Sequence, residues 1–215
     1  MTGMTGYTYG PAEIAAIICI LTVMLSVRRI TDVIPSMLGC LFRWKEAFNL
    51  EYSVRLSRNR NITFIVLTVP ACLLAARFRL YDPDFMSGMT PPLRLLVTCG
   101  VFIGYLLTRR LSGTVFRPKT MDRNAYNAAR MLFLTFFSLM SMVCIITAGA
   151  LSFTDTDDTV IRQVSLYITG GFYLLFIFRK CQIFSHYCSL FSTILYLCTL
   201  EILPTGLLVA SAMFL

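Results

Sequence analysis

The chain has 215 residues, of which 57% are hydrophobic and only 14% charged, with a mean hydropathy of +0.72 and a formal net charge of +8. A soluble globular domain carries about 25% charge and 45–50% apolar residues, so this balance is that of a membrane protein, and it excludes a disordered chain, which is rich in charge and poor in apolar residues. Eight cysteines are too dilute for a disulfide scaffold, and Cys19, Cys72, Cys99, Cys144 and Cys198 lie inside apolar runs, where a thiol behaves as a small hydrophobe.

A membrane-crossing helix takes roughly 20 mostly apolar residues. In chain order, the apolar runs predict one all-α domain over residues 1–215, a polytopic transmembrane helix bundle with about six spans, at 12–27, 62–80, 93–108, 131–153, 160–178 and 188–213. The first closes on Arg28-Arg29, the third on Arg109-Arg110 and the fifth on Arg179-Lys180. A cleaved signal peptide carries its positive charge ahead of the apolar stretch. Here the leader has no lysine or arginine and the pair follows, so the first run reads as a retained helix.

Sorting the charges orients the bundle. Segments 28–60, 109–130 and 179–187 hold seven, six and two basic residues, fifteen of the nineteen, while the connections at 81–91 and 154–159 carry Asp82, Asp84, Asp155, Asp157 and Asp158. Lysine and arginine concentrate on the cytoplasmic side, which predicts an N-out, C-out topology. The basic balance is then a topology signal and calls for no nucleic acid.

Within 28–61, Met37, Leu41, Trp44 and Phe48 recur at helical spacing, joined by Leu38 and Phe42, with Arg43, Lys45, Glu46 and Asn49 on other faces. That pattern predicts a cytoplasmic helix between spans one and two, either lying in the membrane interface or packed under the bundle; the interfacial form is the expectation. The basic stretch at Arg55, Arg58 and Arg60 suits contact with anionic lipid or a partner. Gly100 and Gly104 form a G-x-x-x-G in the third span, and Gly170-Gly171 sit midway along the fifth. Small residues let helix backbones approach in lipid, and packing within the chain is expected ahead of dimerisation.

Little in the chain could carry chemistry. There is one histidine, and the spacing of Cys181, His186 and Cys188 matches no standard zinc pattern, so neither metal nor cofactor is expected. No nucleophile elbow, phosphate-binding loop or dinucleotide motif occurs. The sequon at Asn61-Ile62-Thr63 abuts a span on the inner side. The exception is Glu201, deep in the sixth apolar run and followed by Pro204, which removes a backbone donor and is expected to kink the helix. An ionisable group at that depth must face the bundle interior and find a partner. Measured from Cys188 at 1.5 Å per residue, Glu201 falls roughly 20 Å from the inner boundary, in the slab that also holds the misplaced arginines Arg77, Arg94 and Arg162. A buried cluster of Glu201 with one of these is expected; the alternative has the arginines reaching the outer interface and Glu201 bonded to a tyrosine or serine.

The run from Tyr196 through Glu201 to Pro204, preceded by Phe176-Ile177-Phe178-Arg179, resembles the C-terminal signature of small polytopic membrane proteins from Bacteroidota, a family catalogued as a domain of unknown function of the DUF4271 type. The resemblance implies a bacterial inner membrane and makes Glu201 and Pro204 part of a family motif; it implies no activity. The expected function is a non-catalytic subunit or scaffold of a cell-envelope complex, in secretion or envelope biogenesis, with the lipid bilayer and another membrane protein as partners. The alternative is a small ion- or proton-coupled transporter using Glu201. A membrane enzyme would need convergent acids or histidines, and none are seen, so the chain is not expected to be an enzyme.

Overall fold

The computed structural model describes residues 11–214 except 44, 87, 116–122, 155 and 188–189; the side chains of 11–16, 18–19, 114–115, 123–125, 187, 190–192 and 213–214 also lie outside the described set. The helices are α1 (Pro11–Phe42), α2 (Glu46–Tyr52), α3 (Val54–Arg77), α4 (Pro91–Val115), α5 (Arg123–Phe153), α6 (Asp158–Tyr187), α7 (Leu190–Leu197) and α8 (Leu203–Phe214). A π-turn at Cys198–Ile202 joins α7 to α8, and no strand occurs among the described residues.

Five segments are long and apolar enough to cross a bilayer: Val54–Arg77, Pro91–Gly113, Tyr126–Phe153, Asp158–His186 and Thr193–Ala212. The expected run at 12–27 lies in α1, where several side chains are outside the described set. The helices outrun the expected spans. With 30 residues, α6 is about 45 Å long, half as long again as a bilayer core. The basic pairs at 109–110 and 179–180 therefore lie inside α4 and α6 rather than beyond their ends.

The central helix is α5, half of whose most apolar stretch is buried, against 6% for α4. Its face of Tyr126, Ala129, Leu132 and Phe136 meets Cys40, Ala47, Phe176, Ile183 and Phe184. Rings meet along it: Phe102 stacks on Phe137 at 4.9 Å, and Phe176 meets Phe133 edge to face at 6.0 Å. On α4 and α6, Leu96, Ile103, Leu107, Leu174 and Phe178 point outward, exposed apolar rows of the kind a bilayer covers.

The helix expected in the membrane interface is instead two pieces packed in protein. Met37 and Leu41 end α1, Phe48 belongs to α2, and Trp44 at the break is outside the described residues. Met37, Cys40, Ala47 and Leu50 are buried, with Leu139 and Phe172 of the bundle closing over them. The helical spacing had spanned a helix end: the bundle covers Met37 and packs against Leu41 and Phe48, while Leu38 and Phe42 face outward.

Three local devices hold this elbow. A Cβ on Gly39 would come 3.2 Å from Glu46 Cγ, so glycine lets the Glu46 side chain lie close against the end of α1. Arg60, 1% exposed, donates to Glu51 Oε2 at 2.9 Å, to Ser57 Oγ at 3.1 Å and to Asn61 Oδ1 at 3.2 Å. Arg179 of α6 caps α1, donating to the Leu41 carbonyl at 2.9 and 2.5 Å and to the Phe42 carbonyl at 3.1 Å.

The glycines depart from the expected packing role. A Cβ on Gly100, Gly104, Gly170 or Gly171 would meet nothing within 4 Å, and all four face outward. The core is built on α5 with Phe176, Ile183 and Phe184 of α6, and these glycines lie away from it.

Candidate functional site, an ion triad at a helix break

Glu201 sits on the π-turn, 2% exposed. Pro204 cannot donate to the carbonyl one turn back, and its ring crowds that oxygen, so widening the helix just before it relieves the clash. Where a proline kink was expected, the chain makes this π-turn. In it, the Leu203 N–H reaches back to the Cys198 carbonyl and Glu201 projects into the bundle.

Two cations meet its carboxylate. Lys180 of α6 donates to Oε1, and Arg109 of α4 brings Nη2 to 2.5 Å from Oε2. The latter contact is too oblique for a hydrogen bond, so both of its atoms are buried ions in contact without one. The three side chains are 2%, 6% and 11% exposed for Glu201, Lys180 and Arg109. Aromatic rings surround them, with the Arg109 guanidinium 3.7 Å from the Phe133 centroid and 5.0 Å from Phe176, and the Lys180 ammonium 5.7 Å from Phe176 and from Phe184. A ring face attracts a cation, more so when water is excluded. Hydroxyls extend the cluster: Arg109 Nη1 donates to Tyr105 at 3.3 Å, Tyr105 bonds Thr205 at 3.2 Å, and Tyr173 donates to the Glu201 carbonyl at 3.2 Å.

The arginines expected beside Glu201 are elsewhere. Arg77 pairs with Asp158 at 3.3 Å on the surface, and Arg94 donates to the Met86 carbonyl at 3.1 Å. Arg162 is half-buried near the start of α6. Arg94 stands 15 residues before Arg109 on α4, about 22 Å away, and Arg162 18 residues before Lys180 on α6, about 27 Å away. The cluster therefore lies toward the end of the bundle opposite these arginines. The depth estimate had started the sixth span at the membrane surface. Because α6 and α7 both run past the basic pair, Glu201 comes level with Lys180 instead.

Arg109 and Lys180 were missed because each stands in a pair that closes an apolar run, the pattern of a topology signal. One cue was available: Tyr105 and Arg109 are four residues apart, which puts a hydroxyl and a cation on one helix face. Among the described residues, no group of three His, Cys, Asp or Glu side chains could hold a metal ion.

A helical bundle with several helices long and apolar enough to cross a membrane, and a buried ion triad at a π-turn, defines the class as a polytopic membrane protein. The chain belongs to the DUF4271 family, a domain of unknown function whose family model matches residues 13–211. No curated protein and no solved structure matches it significantly.

Proposed function

We propose that the chain is a non-catalytic subunit or scaffold of a cell-envelope complex in a bacterial inner membrane, oriented N-out and C-out with its basic end in the cytoplasm. One observation carries the reading: the small-residue surfaces at Gly100/Gly104 and Gly170/Gly171 face outward with open space where side chains would be. In lipid no hydrophobic force joins helices, and such surfaces are where backbones of separate proteins come close enough to associate. Beside Gly171, a groove of about 580 Å³ is lined by Val143, Ile168, Phe172, Leu174, Leu175 and Phe178. The triad supports the same reading, since a carboxylate held between Arg109 and Lys180 acts as a clamp between α4, α6 and the π-turn.

The test is purification in mild detergent of the wild type and of Gly104→Leu and Gly171→Leu. Both leucines enter open space, so the variants should fold and accumulate normally while a stoichiometric partner is lost from one or both. A partner retained by both variants would overturn the assignment of these surfaces.

The transporter reading is favoured by a different observation, the π-turn at Cys198–Ile202 with an acid inside it and tyrosine and threonine hydroxyls beside it. Proton-dependent uptake by reconstituted wild-type vesicles, abolished in a well-folded Glu201→Gln, would establish it in place of the subunit.

A further inference from the structure

The triad does not balance: Arg109 and Lys180 bring two positive charges and Glu201 one negative, all nine-tenths buried or nearly so. Its donors are in surplus too. The Lys180 ammonium has three N–H groups and bonds one carboxylate oxygen, while Arg109 Nη2 is engaged with the other oxygen as an ion pair at 2.5 Å. Phe133, Phe176 and Phe184 soften the charge but offer no lone pair to an N–H. Arg109 is the most exposed of the three, exposed Thr108 and Arg110 flank it on α4, and nothing would touch a Cβ on Gly104. The approach to the surplus charge thus lies along the outer face of α4.

We propose that this surplus charge is met by a phosphate group presented at the basic end of the bundle, with Arg109 as the reaching residue and Lys180 behind it. Basic sites between membrane helices recognise anionic head groups in this way. The shared chemistry is a phosphate monoanion or dianion, and its source is either an anionic phospholipid or free phosphate.

The prediction is one of charge counting. Wild type carries a surplus of one; Glu201→Gln raises it to two; Arg109→Gln and Lys180→Gln each bring it to zero. Thermal unfolding is read in nanodiscs of phosphatidylcholine alone, of phosphatidylcholine mixed with phosphatidylglycerol, and of phosphatidylcholine with inorganic phosphate added. Wild type should melt a few degrees higher with phosphatidylglycerol, Glu201→Gln should gain more than wild type, and the two neutral-cluster variants should gain nothing. An equal gain from inorganic phosphate identifies the soluble ion as the source. The same gain in all four proteins would assign the effect to surface arginines such as Arg28, Arg55 and Arg58 and overturn the proposal, as would no gain in wild type. Should Arg109→Gln or Glu201→Gln accumulate too poorly to be measured, Lys180→Gln against wild type still decides, because a site at the triad loses its response once the cluster is neutral, whereas surface arginines keep theirs.

Discussion

Two buried ion networks among the described residues are built on opposite principles. At the α2–α3 elbow Arg60 faces one acid, Glu51, and its remaining donors are taken by Ser57 and Asn61. At the π-turn Glu201 faces two cations, and the Lys180 ammonium spends one of its three N–H groups on the carboxylate. The first network is balanced and closed, as expected of a device that fixes one helix against another. The second is unbalanced and partly unsatisfied, which in a low-dielectric interior is costly unless something else completes it. A buried charge is therefore not informative by itself; its bookkeeping against neighbours separates a structural lock from a site.

The largest effect should come from breaking the unbalanced network at its acid. Glu201→Gln strands two cations, and leaving a buried charge without its partner costs roughly 3–5 kcal/mol. In phosphatidylcholine the variant should accumulate poorly and melt well below wild type, and adding Lys180→Gln should recover part of the loss. If Glu201→Gln melts like wild type in phosphatidylcholine, the carboxylate is not holding the two cations and the clamp fails.

The balanced network should break more gently. Arg60→Met keeps much of the buried volume, and the abandoned Glu51 retains a side chain 26% exposed that can turn to water. A loss of about 2 kcal/mol is expected, smaller than for Glu201→Gln and indifferent to anionic lipid. Equal losses at Arg60 and Glu201, or a lipid response at Arg60, would erase the distinction between the networks.

Much of this was legible from the residues and some was not. Long apolar runs gave helices of membrane-crossing length, and the energetic oddity of Glu201 among Leu200, Ile202 and Leu203 marked it as a buried, partnered acid. Its partners were hidden because charge counting sees where helices leave the apolar region, while partnership depends on where helices end in space. Arg109 and Lys180 look identical to Arg110 and Arg179 in such a count, yet Arg110 is exposed and Arg179 caps α1. The π-turn was equally out of reach, since Pro204 signals a disturbance but not whether the helix kinks or widens. The outward glycines show the complementary failure: a motif states that close approach is possible and is silent about which helix approaches.

A third variant sharpens the comparison by touching neither network. Arg179→Gln removes the charge that caps α1 while leaving the adjacent Lys180 in place. Bonds from a charged donor contribute about 1.5–3 kcal/mol each at most, and these sit partly exposed, so a loss near 1 kcal/mol, confined to the end of α1, is expected. Cys40 reports on it. Burial, assisted by Glu46, pushes its thiol up to about 12, so it stays protonated and unreactive at neutral pH. With the other seven cysteines replaced by serine, Cys40 should resist a thiol reagent in wild type and label slowly in Arg179→Gln. Rapid labelling in both would mean that α1 is not held by this cap.

The smallest effect is expected at Arg77, which stood with Arg94 and Arg162 as a candidate partner of Glu201. It pairs with Asp158 at 3.3 Å, the two side chains being 70% and 60% exposed. Such a pair gains little Coulomb energy in water and pays entropy to hold two mobile side chains, so pairs of this kind contribute about 0–1 kcal/mol and fade with salt. Arg77→Gln should shift the melting temperature within error and leave the response to anionic lipid as in wild type, as should Asp158→Asn. The double variant Arg77→Gln/Glu201→Gln should melt where Glu201→Gln melts, because sites at opposite ends of the bundle add independently. If removing Arg77 instead rescued Glu201→Gln, the guanidinium would be a member of the buried cluster, and the pairing of Glu201 with Arg109 and Lys180 would have to be abandoned.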